Sequence, residues 1–153
     1  MSRVPPYQHG IHLSLCRPLA DFGQGFYTTT NLHQAKNWAR LRCLRLPTGR
    51  ATVLAFDVDR NLLARPDILC FVTESLSPPH TDYWDLVHYC RQRQRNHYPG
   101  GNYDIVYGPV SLWPQTLVIK DCDQVSFHTR TALMVLATPR IEAQAPQNDR
   151  LNI

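Results

Sequence analysis

The sequence has very little glutamate, little lysine and no long apolar run. Glutamate occurs only as Glu74 and Glu142, and 14 of the 16 basic residues are arginine. No stretch of about 18 uncharged apolar residues occurs, so a membrane-spanning helix is not predicted. The start, Met1 to Gln8, lacks the apolar segment of a signal peptide, which favours a cytoplasmic location.

Several common site motifs are also missing. The sequence contains neither G-x-G-x-x-G nor a P-loop, so the dinucleotide-binding Rossmann and P-loop classes are unsupported. Asp21-Phe22-Gly23 matches the magnesium-binding tripeptide of protein kinases, but the 20 residues before it leave no room for the rest of a kinase site. No C-x-x-C pair and no zinc-ligand spacing occur, so no metal site is predicted. Reduced thiols in or near the core are expected for the five cysteines, Cys16, Cys43, Cys70, Cys90 and Cys122.

The residues that are present give a basic chain of 153 residues with net charge +4, which fits one domain. Arginine binds phosphate bidentately and stacks on bases, so its excess suits a nucleotide or nucleic-acid ligand. A solvated basic surface is an equally good interpretation of the same composition.

The stretch from Asp21 to Thr30 organises the predicted fold. Gly23 and Gly25 allow a tight turn or a close backbone approach, and the aromatic and β-branched residues after them favour a strand. Asn31 is a predicted N-cap for a helix that runs to about Leu44. This stretch therefore predicts a turn, a strand, a cap and a helix in that order.

The remaining pattern predicts an α+β domain with mostly antiparallel strands and two or three helices, because short strands and helices alternate without a βαβ rhythm. We predict a domain over residues 1–138 and a loosely attached polar tail over 139–153. Strands are expected at 51–58, 68–73, 103–107, 116–119 and 124–128, and further helices at 82–95 and 130–136, the latter capped by Thr129.

Several segments together resemble a small bacterial domain family of the ADP-ribosyltransferase superfamily, whose members are often toxins of toxin–antitoxin pairs. The matching segments follow one another from about residue 9 to residue 137. They are D-F-G-x-G-F-Y-x-T at 21–29, Q-A-x-x-W-A at 34–39, W-x-x-V with Arg91 at 84–91, Y-D-I-V-x-G-P-V at 103–110 and D-Q-x-S-F-H-T at 123–129.

The resemblance implies a split, twisted β-core that binds NAD as co-substrate. It further implies transfer of ADP-ribose to an acceptor with release of nicotinamide. One class of the superfamily uses a His-Tyr-Glu trio for this reaction. The resemblance places His9 at the histidine, Tyr27 at the tyrosine that stacks on nicotinamide, and Gln124 at the glutamate.

Other NAD contacts are expected around the same turn. The resemblance assigns them to Asp21, Phe22, Gly25 and Thr28, and Arg17 is a candidate for the diphosphate. Asp21 has a second possible role as an Asx-type acceptor that holds the turn.

Gln124 limits the mechanism, because an amide can hold a ribose hydroxyl but cannot act as a general base. We therefore predict a dissociative transfer in which orientation dominates. Asp104 is a candidate base or a strand-end carboxylate.

The expected acceptor is a protein or a nucleic acid, and a cognate antitoxin is a possible partner. Arg91, Arg93 and Arg95 lie among stackable rings, as in nucleic-acid binders, but they also suit a helix C-terminus. Two alternatives to a transferase remain open. One is a catalytically inactive NAD-binding module, and the other is a nucleic-acid-binding domain.

Overall fold

A computed structural model describes residues 10–72, 81–93, 97 and 101–146. The described part is an α+β fold with three helices and mostly antiparallel strands, which confirms the predicted class. The helices are α1 (Leu32–Leu44), α2 (Thr81–Arg93) and α3 (Arg130–Leu133), and the strands are β1 (Phe26–Thr28), β2 (Thr52–Ala55), β3 (Ile68–Cys70), β4 (Ile105–Ser111), β5 (Val118–Phe127) and β6 (Arg140–Gln144).

The strands form two sheets. The larger one has the order β1-β5-β4-β3, in which only the β3–β4 pair is parallel. The smaller one pairs β2 with β6 in antiparallel fashion. No helix in the described ranges is both long and apolar enough to cross a membrane.

The predicted caps of α1 and α3 are confirmed. Asn31 accepts a hydrogen bond from the amide of Gln34 at 3.1 Å, and Thr129 accepts one from the amide of Ala132 at the same distance. Each cap satisfies an amide that the first helical turn leaves unpaired. α3 is shorter than predicted, since it ends at Leu133.

Both faces of the larger sheet are covered. On one face, β4 and α2 pack around a cluster that includes Phe22, Tyr83 and Val87. On the other face, Ile105 and Phe127 pack against α3 and the segment that follows it. The sheet is therefore the middle layer of the fold, and polar groups on its covered part, such as Gln124 and Ser126, are shielded from water.

The predicted tail from residue 139 begins with a strand instead. Residues 140–144 pair with β2, and the buried Ala145 donates its amide to the carbonyl of Ala51 at 2.9 Å. Main-chain hydrogen bonds hold this strand in place, and its apolar side chain Ile141 remains 62% exposed. The strand therefore shows little of the apolar pattern by which a strand is predicted from the sequence.

Two other predictions need correction. The strands expected at 116–119 and 124–128 are one continuous strand, β5, whose Asp121 has a φ of +56°. All five cysteines are free thiols, but only Cys43 and Cys90 are buried, and Cys70 is exposed.

Candidate functional site

Four of the five segments that carry the family resemblance meet on the α2 side of the larger sheet, and the fifth, 34–39, lies on α1. Tyr27 of β1 lies opposite Ser126 of β5, and Gly108 of β4 lies opposite Gln124. Opposed residues project to the same face of a sheet, so Tyr27, Ser126 and Gln124 share the face that α2 covers.

Asp21 is the centre of a layer of buried polar side chains on this face, and only 1% of its own surface is exposed. Its Oδ1 accepts from Arg91 Nε at 2.9 Å, from Arg91 Nη2 at 2.6 Å and from Ser111 Oγ at 2.6 Å. Its Oδ2 accepts from the Ser111 amide and from Gln124 Nε2, both at 2.8 Å. Five donors saturate the carboxylate, so Asp21 supports the fold in place of the predicted Asx turn or ligand contact.

Gln124 is also buried, with 4% of its surface exposed. Its Nε2 donates to Asp21 Oδ2 and to the carbonyl of Pro109, each at 2.8 Å, so both amide protons are used. No described residue donates to Oε1. The side chain can therefore offer a ligand only an acceptor.

Arg91 supplies the cation for this layer. Besides its bonds to Asp21, its Nη1 donates to the carbonyl of Leu19 at 3.0 Å, and its side chain is 17% exposed. Three of the five guanidinium N–H groups are bound within the protein, which gives Arg91 a structural role; the nucleic-acid contact stays a prediction. The Arg93 side chain and Arg95 lie outside the described part.

Tyr27 holds the turn through its hydroxyl, which accepts from the Phe22 amide at 2.9 Å and donates to the Gly23 carbonyl at 2.8 Å. Burial raises the pKa of this hydroxyl well above its usual range. The half-buried ring lies nearly parallel to that of Phe22, with 6.5 Å between centroids. Phe22 is fully buried, so it belongs to the core and not to the predicted cofactor contact.

Thr28, another predicted cofactor contact, uses its hydroxyl within the sheet: Oγ1 donates to the Val125 carbonyl at 3.2 Å.

Gly23 and Gly25 serve the protein's own packing. Gly23 has a φ of +87°, which glycine adopts without strain in this turn. A Cβ on Gly25 would lie 2.7 Å from His128 Nδ1 and 2.9 Å from the carbonyl oxygen of Phe127. The predicted close approach at Gly25 is therefore made to His128.

His128 belongs to a buried histidine pair that the sequence did not reveal. Its Nδ1 lies 2.8 Å from the Gln24 carbonyl and must carry a proton, because a carbonyl only accepts. Its Nε2 lies 2.7 Å from Ser126 Oγ. The His97 ring packs edge-on at 4.3 Å between centroids, and His97 Nδ1 accepts from the Tyr103 amide at 3.0 Å.

Both histidines are favoured in the neutral form. Burial, followed by the neighbouring His97, lowers the pKa of His128 to about 4, although the Gln24 carbonyl opposes the shift. Burial likewise lowers the pKa of His97, whose Nε2 has no hydrogen-bond partner among the described residues. With His128 neutral, Nε2 is an acceptor, and the single hydroxyl proton of Ser126 lies within donating distance of both Nε2 at 2.7 Å and the Val106 carbonyl at 3.2 Å.

We expect stability to fall as the pH decreases from about 6.5 towards 4. In this window the unfolded chain binds protons that folded His128 does not, so the free energy of unfolding decreases by about 3 kcal/mol. Urea unfolding between pH 4 and 8 measures the slope. His128→Asn keeps a donor near the Nδ1 position and should flatten the profile relative to wild type, and an unchanged slope would contradict the assignment.

Three of the residues predicted from the sequence remain, namely Arg17, His9 and Asp104. Arg17 is exposed and forms no ion pair with a described residue. His9 lies outside the described residues. Asp104 accepts from the Asp67 amide at 2.8 Å and from the Thr129 hydroxyl, which supports the structural alternative for this carboxylate.

Comparison with known proteins gives one family. A family model described as "Protein of unknown function (DUF3990)" matches residues 8–112. The chain belongs to this family. The DUF3990 match includes Asp21, Tyr27 and Arg91 but ends before β5, which carries Gln124. No curated protein and no solved structure matches the chain.

Proposed function

We propose that the protein is an NAD-dependent mono-ADP-ribosyltransferase that modifies a macromolecular acceptor, as the toxin of a bacterial toxin–antitoxin pair. The two sheets would form the split β-core of that superfamily. The observation that carries the proposal is the convergence on Asp21. Its carboxylate joins the turn at 21–29 to Arg91, Ser111 and Gln124, which lie in or beside the other resembling segments.

In this proposal, Tyr27 and Gln124 orient the nicotinamide riboside part of NAD. The Tyr27 ring is half-buried and fixed at its hydroxyl end, which favours stacking because little side-chain entropy remains to be lost. Gln124 Oε1 accepts a hydrogen bond from a ribose hydroxyl, since its amide protons are already bound. The exposed Arg17 is the candidate for the diphosphate.

The chemistry requires little proton transfer from the protein. The bond between nicotinamide and ribose breaks with both electrons leaving on the nicotinamide nitrogen, and an oxocarbenium-like sugar develops. An acceptor nucleophile forms the new bond to the ribose carbon and loses its proton to solvent. Neither Gln124 nor the saturated Asp21 takes that proton, so the acceptor must be intrinsically nucleophilic.

The test compares Tyr27→Ala with Tyr27→Phe. We expect Tyr27→Ala to weaken NAD binding by about 5- to 150-fold, the equivalent of about 1–3 kcal/mol of lost stacking. Tyr27→Phe keeps the ring and should stay within about threefold of wild type, although it loses the hydroxyl bonds to the turn. Titration calorimetry measures the affinity, and release of labelled nicotinamide in lysate measures activity.

Tyr107→Ala is the matched control, because Tyr107 lies opposite Val125 and so projects from the other face of the sheet. A folded Tyr27→Ala variant with wild-type NAD affinity would refute the assigned site. Treatment of labelled lysate with nuclease or protease identifies the acceptor class.

A non-catalytic NAD-binding module is the second candidate, and the buried amide at position 124 favours it, because a glutamate is expected there in a transferase. NAD binding without nicotinamide release in lysate would support this candidate. Salt-sensitive binding of RNA or DNA without NAD binding would instead indicate a nucleic-acid-binding domain.

A further inference from the structure

The outer side of α1 carries an apolar stripe that the NAD site does not use. Trp38, Leu41 and Leu44 are exposed by 39%, 47% and 56%. Spaced three residues apart, they cover about 120° of the helix circumference. We call these three residues the α1 stripe.

The opposite side of α1 attaches the C-terminal half of the helix to the fold, whereas the first turn is held by the buried Gln34, which lies seven residues before Leu41 and donates to the Asp123 carbonyl at 2.7 Å. Cys43 is buried with Ala51 and Ala145, and Ala39 packs against this small cluster. The alanines and the cysteine fill little volume, so the largest apolar side chains of the helix point away from the protein. This arrangement differs from an ordinary surface helix, whose apolar side faces the core.

Positive charge borders the α1 stripe. Arg40 and Arg42 lie about 100° to either side of Leu41 on the helix. Residues 32–50 contain five basic residues and no acidic residue. Neither Arg40 nor Arg42 forms an ion pair with a described residue. The surface therefore combines an apolar centre with two cationic edges.

We propose that the α1 stripe binds an amphipathic helix of a partner protein, with acidic residues on both sides of the partner's own apolar stripe. Side chains three residues apart match the anchors of helix-in-groove recognition, and the arginines match the acidic flanks. Only Trp38 of the α1 stripe can stack on a base, and the two leucines cannot, so a protein ligand suits the surface better than RNA. Three half-exposed side chains, on a helix that the buried Gln34 and Cys43 attach to the fold, offer little area for insertion into a membrane.

The first experiment uses two synthetic helical peptides, each of about 18 residues, with the same leucine stripe. One carries glutamate on both flanks and the other lysine, and both are labelled for fluorescence anisotropy with the full-length protein. We expect the glutamate peptide to bind at least about tenfold more tightly, with an affinity that falls as salt is raised. Equal affinities for the two peptides would overturn the proposal.

Variants locate the contact. Leu41→Gln with Leu44→Gln should weaken binding of the glutamate peptide at least about tenfold, and Arg40→Glu with Arg42→Glu should reverse the preference towards the lysine peptide. Leu117→Gln and Arg65→Glu change exposed residues outside α1 and should leave binding unchanged. Circular dichroism verifies that each variant is folded.

Vesicles of phosphatidylcholine with phosphatidylserine form the last arm of the test. Vesicle binding that depends on the α1 stripe, without glutamate-peptide binding, would refute the protein partner in favour of a membrane. NAD affinity is measured in parallel, and the α1 variants should leave it unchanged, so this proposal stands or falls separately from the transferase.

Discussion

Replacing Asp21 by asparagine should destabilise the protein by about 3–5 kcal/mol, because the change removes one partner of a buried ion pair. Arg91 would retain its charge in the interior. The N–H donors of the new amide would also face groups that are themselves donors, since five hydrogen bonds are donated to Asp21. Urea unfolding monitored by circular dichroism measures the loss.

Asp57→Asn is the matched control. Asp57 pairs with Arg140 at 2.9 Å, but the two side chains are 78% and 55% exposed. Exposed pairs contribute about 0–1 kcal/mol, so this variant should remain close to wild type. Equal losses in the two variants would show that the network around Asp21 contributes no more than a surface contact.

Replacing Gln124 by glutamate should destabilise the fold by about 2–4 kcal/mol at neutral pH and should not increase nicotinamide release. The amide protons that bind Asp21 and Pro109 would be lost, and a second carboxylate would face the first. Protonation of the introduced carboxylate would restore one donor, so its pKa in the folded state should rise above about 4.3. The deficit relative to wild type should therefore be small near pH 4 and grow as the pH rises.

The same change on the surface provides the control. Gln144 is exposed and donates to Thr52 Oγ1 at 2.9 Å, so Gln144→Glu should cost less than about 1 kcal/mol. The double variant Asp21→Asn with Gln124→Glu should lose less free energy of unfolding than the two single variants lose together. The difference should exceed about 1 kcal/mol. Strict additivity would contradict a direct interaction between the two residues.

Local features of the fold could be predicted from the sequence because their causes are local. The caps at Asn31 and Thr129 involve amides three residues away, and the apolar periodicity of α2 reports the face that it buries. β6 could not be predicted in this way, because its pairing with β2 is long-range and its side chains carry little apolar signal.

Prediction of the candidate site was limited even more, because its contacts join residues that are far apart in the chain. The turn and Tyr27 could be singled out from a short stretch, but Asp21 finds its partners 70 to 103 residues further along the chain. Ser111 and His97 carry no local pattern that distinguishes them. Their roles come from pairing of β4 with β5 and from packing of α2, which together decide whether a polar residue binds a ligand or supports the core.

The order of the strands has a kinetic consequence. β1 pairs only with β5 in the described sheet, and the paired residues Phe26 and Phe127 are about 100 positions apart. Closing so large a loop costs entropy before any strand contact is gained, so β1 cannot dock early. During synthesis on the ribosome, the turn with Tyr27 would wait for nearly the whole domain to emerge. The proposed NAD site would therefore be completed only once β5 has left the exit tunnel, and not while the turn itself emerges.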